Sequence, residues 1–141
     1  MIFFDDIDSC PAETEFINMA SDDVTYLTSP KYPNVYLPST KCIWIFQGVD
    51  EGAFLMSFFD LYLSSSVMPS KNDTLEIGTG HHVSNETVVI ELKIYFPNTL
   101  SVNGSSMWIQ FTSADAYGCC GFFIEIERTQ NDGKYCLNLA M

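Results

Sequence analysis

The sequence predicts an all-β fold, an antiparallel two-sheet β-sandwich, from three observations. Short aromatic or β-branched runs alternate with turn residues at the close spacing of sandwiches and barrels. The later runs alternate apolar and polar residues with a period of two, and no helical 3.6-residue stripe of useful length occurs. At 141 residues and 47% hydrophobic content the chain fits one domain with one core. Taken in order, the expected strands cover residues 24–28, 42–47, 53–59, 74–78, 87–93, 106–112 and 122–128. Runs 42–46 and 54–59 are apolar on both faces, which suits central strands or strands covered by the N-terminal segment. In 106–112, Met107, Ile109 and Phe111 point inward while Trp108, Gln110 and Thr112 point the other way. In 122–128 the inward set is Phe122, Ile124 and Ile126, with Glu125 and Glu127 outward. Turn chemistry marks the gaps at Ser29-Pro30, Tyr32-Pro33, Gly48 to Gly52, Gly78 to Gly80 and Asn103-Gly104.

Charge divides the chain further. Residues 1–23 carry 7 of the 18 acidic residues and no base, without strand periodicity, so they read as an acidic arm tethered by Cys10. The domain proper spans 24–128, and 129–141 form a C-terminal tail containing Cys136. A net charge of -12 repels phosphate backbones and anionic lipid heads, which excludes nucleic acid and simple membrane adsorption as partners. No apolar run reaches the roughly 20 residues of a spanning helix, and the first ten residues lack a secretory signal's basic and apolar regions. Five cysteines and three sequons, at Asn72, Asn85 and Asn103, nevertheless point to a secreted, glycosylated protein. The start is therefore read as mature, truncated or recombinant.

Ser29-Pro30-Lys31-Tyr32-Pro33-Asn34-Val35-Tyr36, followed by Cys42-Ile43-Trp44-Ile45, resembles the opening of a CUB domain, S-P-x-Y-P-x-x-Y and then C-x-W-x-I. Its prolines fix the corner without ladder donors, its tyrosines supply amphipathic plates, and Trp44 anchors a sheet face. Downstream, Phe58-Phe59-Asp60-Leu61 looks like the family's F-x-x-F-x-L stretch. Asp73-Thr74-Leu75-Glu76-Ile77 is similar to its D-x-L-x-I strand, and Met107-Trp108-Ile109-Gln110-Phe111 to its M-x-I-x-F strand. Phe111-Thr112-Ser113 with Gly121-Phe122 matches its F-x-S to G-F span, so the resemblance runs over residues 24–127. It implies a jelly-roll-like sandwich serving as a noncatalytic binding module of secreted or cell-surface proteins.

Calcium-dependent members place a Glu, an Asp and an Asp where this chain has Tyr62, Asp73 and Ala114. One carboxylate cannot supply the six to eight oxygens Ca²⁺ takes, so a Ca²⁺ site here requires Asp115 or Asp60 as a substitute ligand beside Asp73. The resemblance also implies a Cys10–Cys42 bridge, while the family's second bridge has no cysteines at Lys71, Asn72, Tyr95 or Phe96. Of the remaining three, Cys136 is expected to bond Cys120 or its neighbour Cys119, leaving a thiol for a covalent dimer.

The histidines His81 and His82 are adjacent in a turn, and no H-E-x-x-H, G-x-S-x-G or phosphate-cradling loop occurs, so no catalysis is expected. The leading expectation is recognition of an extracellular protein, with a basic one fitting the acidic surface. The loops at 62–72, 78–85 and 114–120 form one end of the sandwich in this reading, with Tyr62 and Tyr117 as anchors and Asp73 and Asp115 as acidic contacts. The alternatives are a carbohydrate-binding sandwich using Trp108 and Gln110 as a platform, and an accessory or scaffold domain of a larger secreted protein.

Overall fold

The computed structural model describes residues 10, 14–34, 36–49, 51–63, 73–93, 96–114 and 121–130. The strands are β1 (Glu15–Met19), β2 (Val24–Thr28), β3 (Lys41–Gly48), β4 (Gly52–Tyr62) and β5 (Thr74–Thr79). After a short 3₁₀ turn at Asn85–Thr87 come β6 (Val88–Leu92), β7 (Thr99–Asn103), β8 (Ser106–Thr112) and β9 (Gly121–Gln130). They form a five-stranded sheet in the order β1-β3-β8-β5-β6 and a four-stranded sheet in the order β2-β9-β4-β7. All pairings are antiparallel except β1 with β3.

Alternation drives the packing. Cys42, Trp44 and Phe46 of β3, Met107, Ile109 and Phe111 of β8, and Phe122, Ile124 and Ile126 of β9 all lie in one core cluster. Rings join the sheets edge to face: Trp44 to Phe122 at 6.2 Å, Phe111 to Phe122 at 5.3 Å and Phe46 to Phe54 at 6.4 Å between centroids. The expected inward faces of β8 and β9 are therefore correct, and β3 is a central strand flanked by β1 and β8.

Two strands exceed the sequence expectation. β1 lies inside the segment read as an arm, and its Met19 is buried in the core while Phe16 stays exposed. Parallel pairing to β3 leaves no hairpin signal in the sequence, and the surrounding acids mask the short alternation. β7 is an edge strand with only Leu100 and Val102 turned to the core. Cys10 and Cys42 form the expected disulfide, with Cα atoms 5.1 Å apart, tying the start of the described chain to β3.

The register fixes which loops share an end. Tyr62 pairs with Gly121 and Thr74 with Thr112, so Tyr62, Asp73, Ala114 and Gly121 lie at one end. Thr79 pairs with Met107, and Ala53 with Asn103, at the other. The 78–85 loop is thus at the opposite end from Tyr62 and Ala114, where the other two loops grouped with it begin, because β5 carries the chain the length of the sheet. Asn85 and Asn103 share that far end, where the Arg128 guanidinium donates to the Gly104 carbonyl at 2.7 Å and lies over Phe54.

Candidate functional site: the Tyr62 end and its adjoining sheet face

At the Tyr62 end the residues 29–34 turn is bolted to β9. Ser29 is buried, its Oγ accepts from the Phe122 amide at 3.0 Å, and its own amide donates to the Phe122 carbonyl at 3.2 Å. Gly121 lies so close that a Cβ there would sit 2.8 Å from the Ser29 Cβ, at a φ of +94° that disfavours any side chain. The Tyr32 amide donates to the Ser29 carbonyl at 3.2 Å and the Asn34 amide to the Lys31 carbonyl at 2.7 Å, so the corner at the proline pair is a tight turn; its Tyr32–Pro33 peptide is cis.

Asp73 is 1% exposed and its carboxylate organises the end. One oxygen accepts from the hydroxyl of buried Tyr36, whose ring meets Phe111 edge-on at 5.0 Å; the other accepts from the Ala114 amide at 2.6 Å. Ser113 continues the closure, its Oγ accepting from the Thr40 amide at 2.8 Å and donating to the Leu37 carbonyl at 2.8 Å. Charge-assisted bonds of this kind stabilise about twice as much as neutral ones. Asp73 therefore joins residues 36–40, β5 and residues 113–114 into a single block.

Among the described residues the donors do not complete a Ca²⁺ site. Tyr62 and Ala114 bring no carboxylate beside Asp73, whose two oxygens each accept one bond from the fold, and Asp60 accepts from the Tyr32 hydroxyl at 2.7 Å. Among the described residues no group of three or more His, Cys, Asp or Glu is placed to hold a metal. Asp115, Tyr117, Asn72, Cys119, Cys120 and Cys136 lie outside the described residues.

Trp108 corrects a second expectation. It does lie on the outward side of β8, but it is 0% exposed. Its indole rests on Gly78, directly across the ladder, and its Nε1 donates to Thr87 Oγ1 at 3.1 Å. The segment between β5 and β6 covers it, so it offers no sugar platform; Gln110 makes only a 3.5 Å contact to Thr112 Oγ1.

What sequence reasoning missed is the outer face of the four-stranded sheet. A register shift between Phe58 and Asp60 leaves Phe59 without a cross-strand partner and turns it outward, 56% exposed. Its ring meets Phe123 at 5.4 Å, and Tyr26 and Tyr32 approach the same ring at 5.8 Å each. The Tyr26 hydroxyl bonds Glu125, its neighbour across the ladder, and that bond chiefly raises its pKa. Burial, followed by the Asp60 hydrogen bond, pushes the Tyr32 phenol up to about 12. Tyr62, 41% exposed, ends β4 beside this face. The bulge is the missing signal: strict alternation would turn Phe58 and Phe59 to opposite sides without saying that Phe59 stays open.

The family model for the CUB domain matches residues 17–126. The chain belongs to the CUB domain family. This domain is 28% identical over 116 residues to human neuropilin-2, covering 82% of the chain but only 12% of that protein. Among solved structures it is similar to the full extracellular region of zebrafish Gpr126/Adgrg6, with a TM-score of 0.65 and 24% identity over 86% of the chain and 15% of the other. It also matches the MASP-1 CUB2 domain bound to Ca²⁺, with a TM-score of 0.60 and 20% identity over 79% of the chain and 96% of the other. The two structural matches bear on the fold alone. The CUB match begins inside β1 and so includes part of the segment read as an arm.

Proposed function

We propose that this CUB domain is a noncatalytic extracellular recognition module that binds a protein partner through the Tyr62 end of the sandwich. The observation that carries the reading is the pairing of family membership with a tied end: buried Asp73 joins Tyr36 to Ala114 from within, and exposed Tyr62 stands on a ladder-held strand at the same end. Tyr offers large contact area while losing few torsions, so a tyrosine presented on a strand makes an effective anchor. Asp115 and Tyr117 complete the same end in this reading, and Asn72 neighbours it. The sandwich supplies the geometry and the loops supply the specificity.

Secretion is supported by the cysteines, the Cys10–Cys42 bridge and the sequons at Asn72, Asn85 and Asn103. A setting beside other domains is supported by the small share of neuropilin-2 that the chain spans, 12%. The test is staining of cultured cells with an avid multimer of the glycosylated, oxidised domain. Protease treatment of the cells should abolish staining, enzymatic removal of N- and O-glycans should leave it, and Tyr62→Ala should weaken it at least tenfold. Staining lost on glycan removal and retained in Tyr62→Ala would overturn the proposal.

A further inference from the structure

The outer face of the four-stranded sheet combines exposed aromatic surface with carboxylates held in place. Phe59 is the open ring, seated edge-on against Phe123 at 5.4 Å. Asp60 follows Phe59 in β4 and Glu125 lies two residues beyond Phe123 in β9, each already accepting a tyrosine hydroxyl, from Tyr32 at 2.7 Å and from Tyr26. A carboxylate has about four lone-pair sites, so each retains acceptor capacity after one such bond. Their positions are set by ladder pairing of Tyr26 with Glu125 and of Asp60 with Phe123, so a ligand need not order them.

The surroundings are electronegative. Glu127 lies on the same face, paired with Val24 and Leu55, and the whole chain carries a net charge of -12. Of the described bases, Arg128 is buried, Lys41 and Lys93 lie on or beside the five-stranded sheet, and Lys31 occupies the turn at the rim. Neither Asp60 nor Glu125 forms an ion pair among the described residues.

We propose that this face, centred on Phe59 with Asp60 and Glu125, docks an arginine-bearing segment of the protein partner. The match is one of charge and shape. A guanidinium stacks flat on an exposed ring and donates its planar fork to carboxylates at the ring's edge, whereas an ammonium does neither as well. The inference deepens the protein-recognition reading and rests on it, but names a different surface from the loop end.

The experiment titrates acetyl-Gly-Arg-Gly-amide into the ¹⁵N-labelled domain and follows amide shifts, with the corresponding lysine peptide as comparison. The expected result is saturable shifts concentrated at residues 59–60 and 123–125, with the arginine peptide binding at least about threefold tighter. Phe59→Ala, a surface change that leaves the core intact, and Glu125→Gln should each weaken it by about threefold or more. Equal response to the lysine peptide, shifts scattered over acidic residues elsewhere, or no effect of Phe59→Ala would overturn the proposal. Cell staining that persists and still depends on Tyr62 alongside such a result would show that this face fails while the recognition reading stands.

Discussion

Gly78→Ala should destabilise the domain well beyond an ordinary strand substitution. Gly78 lies on β5 between β8 and β6, opposite Trp108. A Cβ there would fall 2.6 Å from the indole Nε1 and closer still to Cζ2 and Cε2. The backbone is held by ladders on both sides, so the indole must move. Moving it disturbs a fully buried side chain and its bond to Thr87 Oγ1. Overpacking costs about 1–3 kcal/mol and the neutral hydrogen bond about 0.5–1.5 kcal/mol. The sum, about 1.5–4.5 kcal/mol, corresponds to a fall in Tm of roughly 5–16 °C for a domain of this size. Thermal unfolding by circular dichroism measures the loss, and tryptophan emission should shift toward the red as the ring meets water. Pairing the change with Trp108→Leu should recover part of it, since the two sites share one space. A Tm within about 1 °C of the parent with unchanged emission would refute the reasoning and return Trp108 to the exposed position that alternation alone suggests.

Tyr32 should be among the last phenols to ionise. Its folded pKa of about 12 exceeds the unfolded value near 10, so its contribution to stability is complete below about pH 10 and lost as the pH rises through 12. Absorbance titration at 295 nm should lose one late-ionising phenol in Tyr32→Phe. Glu76 has a raised pKa, from burial first and then repulsion by Glu91, so its charged form costs stability that is absent when the carboxyl is protonated. Glu76→Gln should therefore raise Tm at pH 7 by an amount worth less than about 1 kcal/mol, and the gain should vanish at acidic pH below the unfolded value. Excess Ca²⁺ against chelator should leave Tm unchanged, because Tyr62 and Ala114 bring no carboxylate to join Asp73. A rise of several degrees that Asp73→Ala abolishes would mean that other ligands complete an ion site.

The sheets were legible in the sequence wherever one face meets the core and the other meets water. In β8 and β9, Met107, Ile109, Phe111, Phe122, Ile124 and Ile126 recur at every second position and all reach the core, while Gln110, Glu125 and Glu127 mark the other face, interrupted by Trp108 and Phe123. β1 and β7 were illegible because each turns only two side chains toward the core and neither has a hairpin partner marked by a tight turn before it. Trp108 shows a different limit. Period two correctly gives the side of the sheet, but Trp108 is buried there and bonded to Thr87, a contact no ladder pattern predicts. Likewise the distribution of loops between the two ends depends on register, and a strand such as β5 moves the chain across the whole domain. Asp73 was visible as a family position, whereas its bond to Tyr36, 37 residues away, and the Tyr32–Asp60 pair, 28 residues apart, exist only in the fold. The Phe59 face depends on one register shift in β4.

The most direct measurement compares multimer binding for variants at the two ends of the sandwich. Tyr62→Ala and Val49→Ser both replace exposed side chains, the first at the Asp73 end and the second in the β3–β4 connection at the far end. Recognition through the Tyr62 end predicts at least tenfold weaker binding for Tyr62→Ala and parental binding for Val49→Ser, with both variants retaining the parental Tm. Binding lost in Val49→Ser and kept in Tyr62→Ala would contradict it, and would place the partner at the end where Asn85 and Asn103 stand.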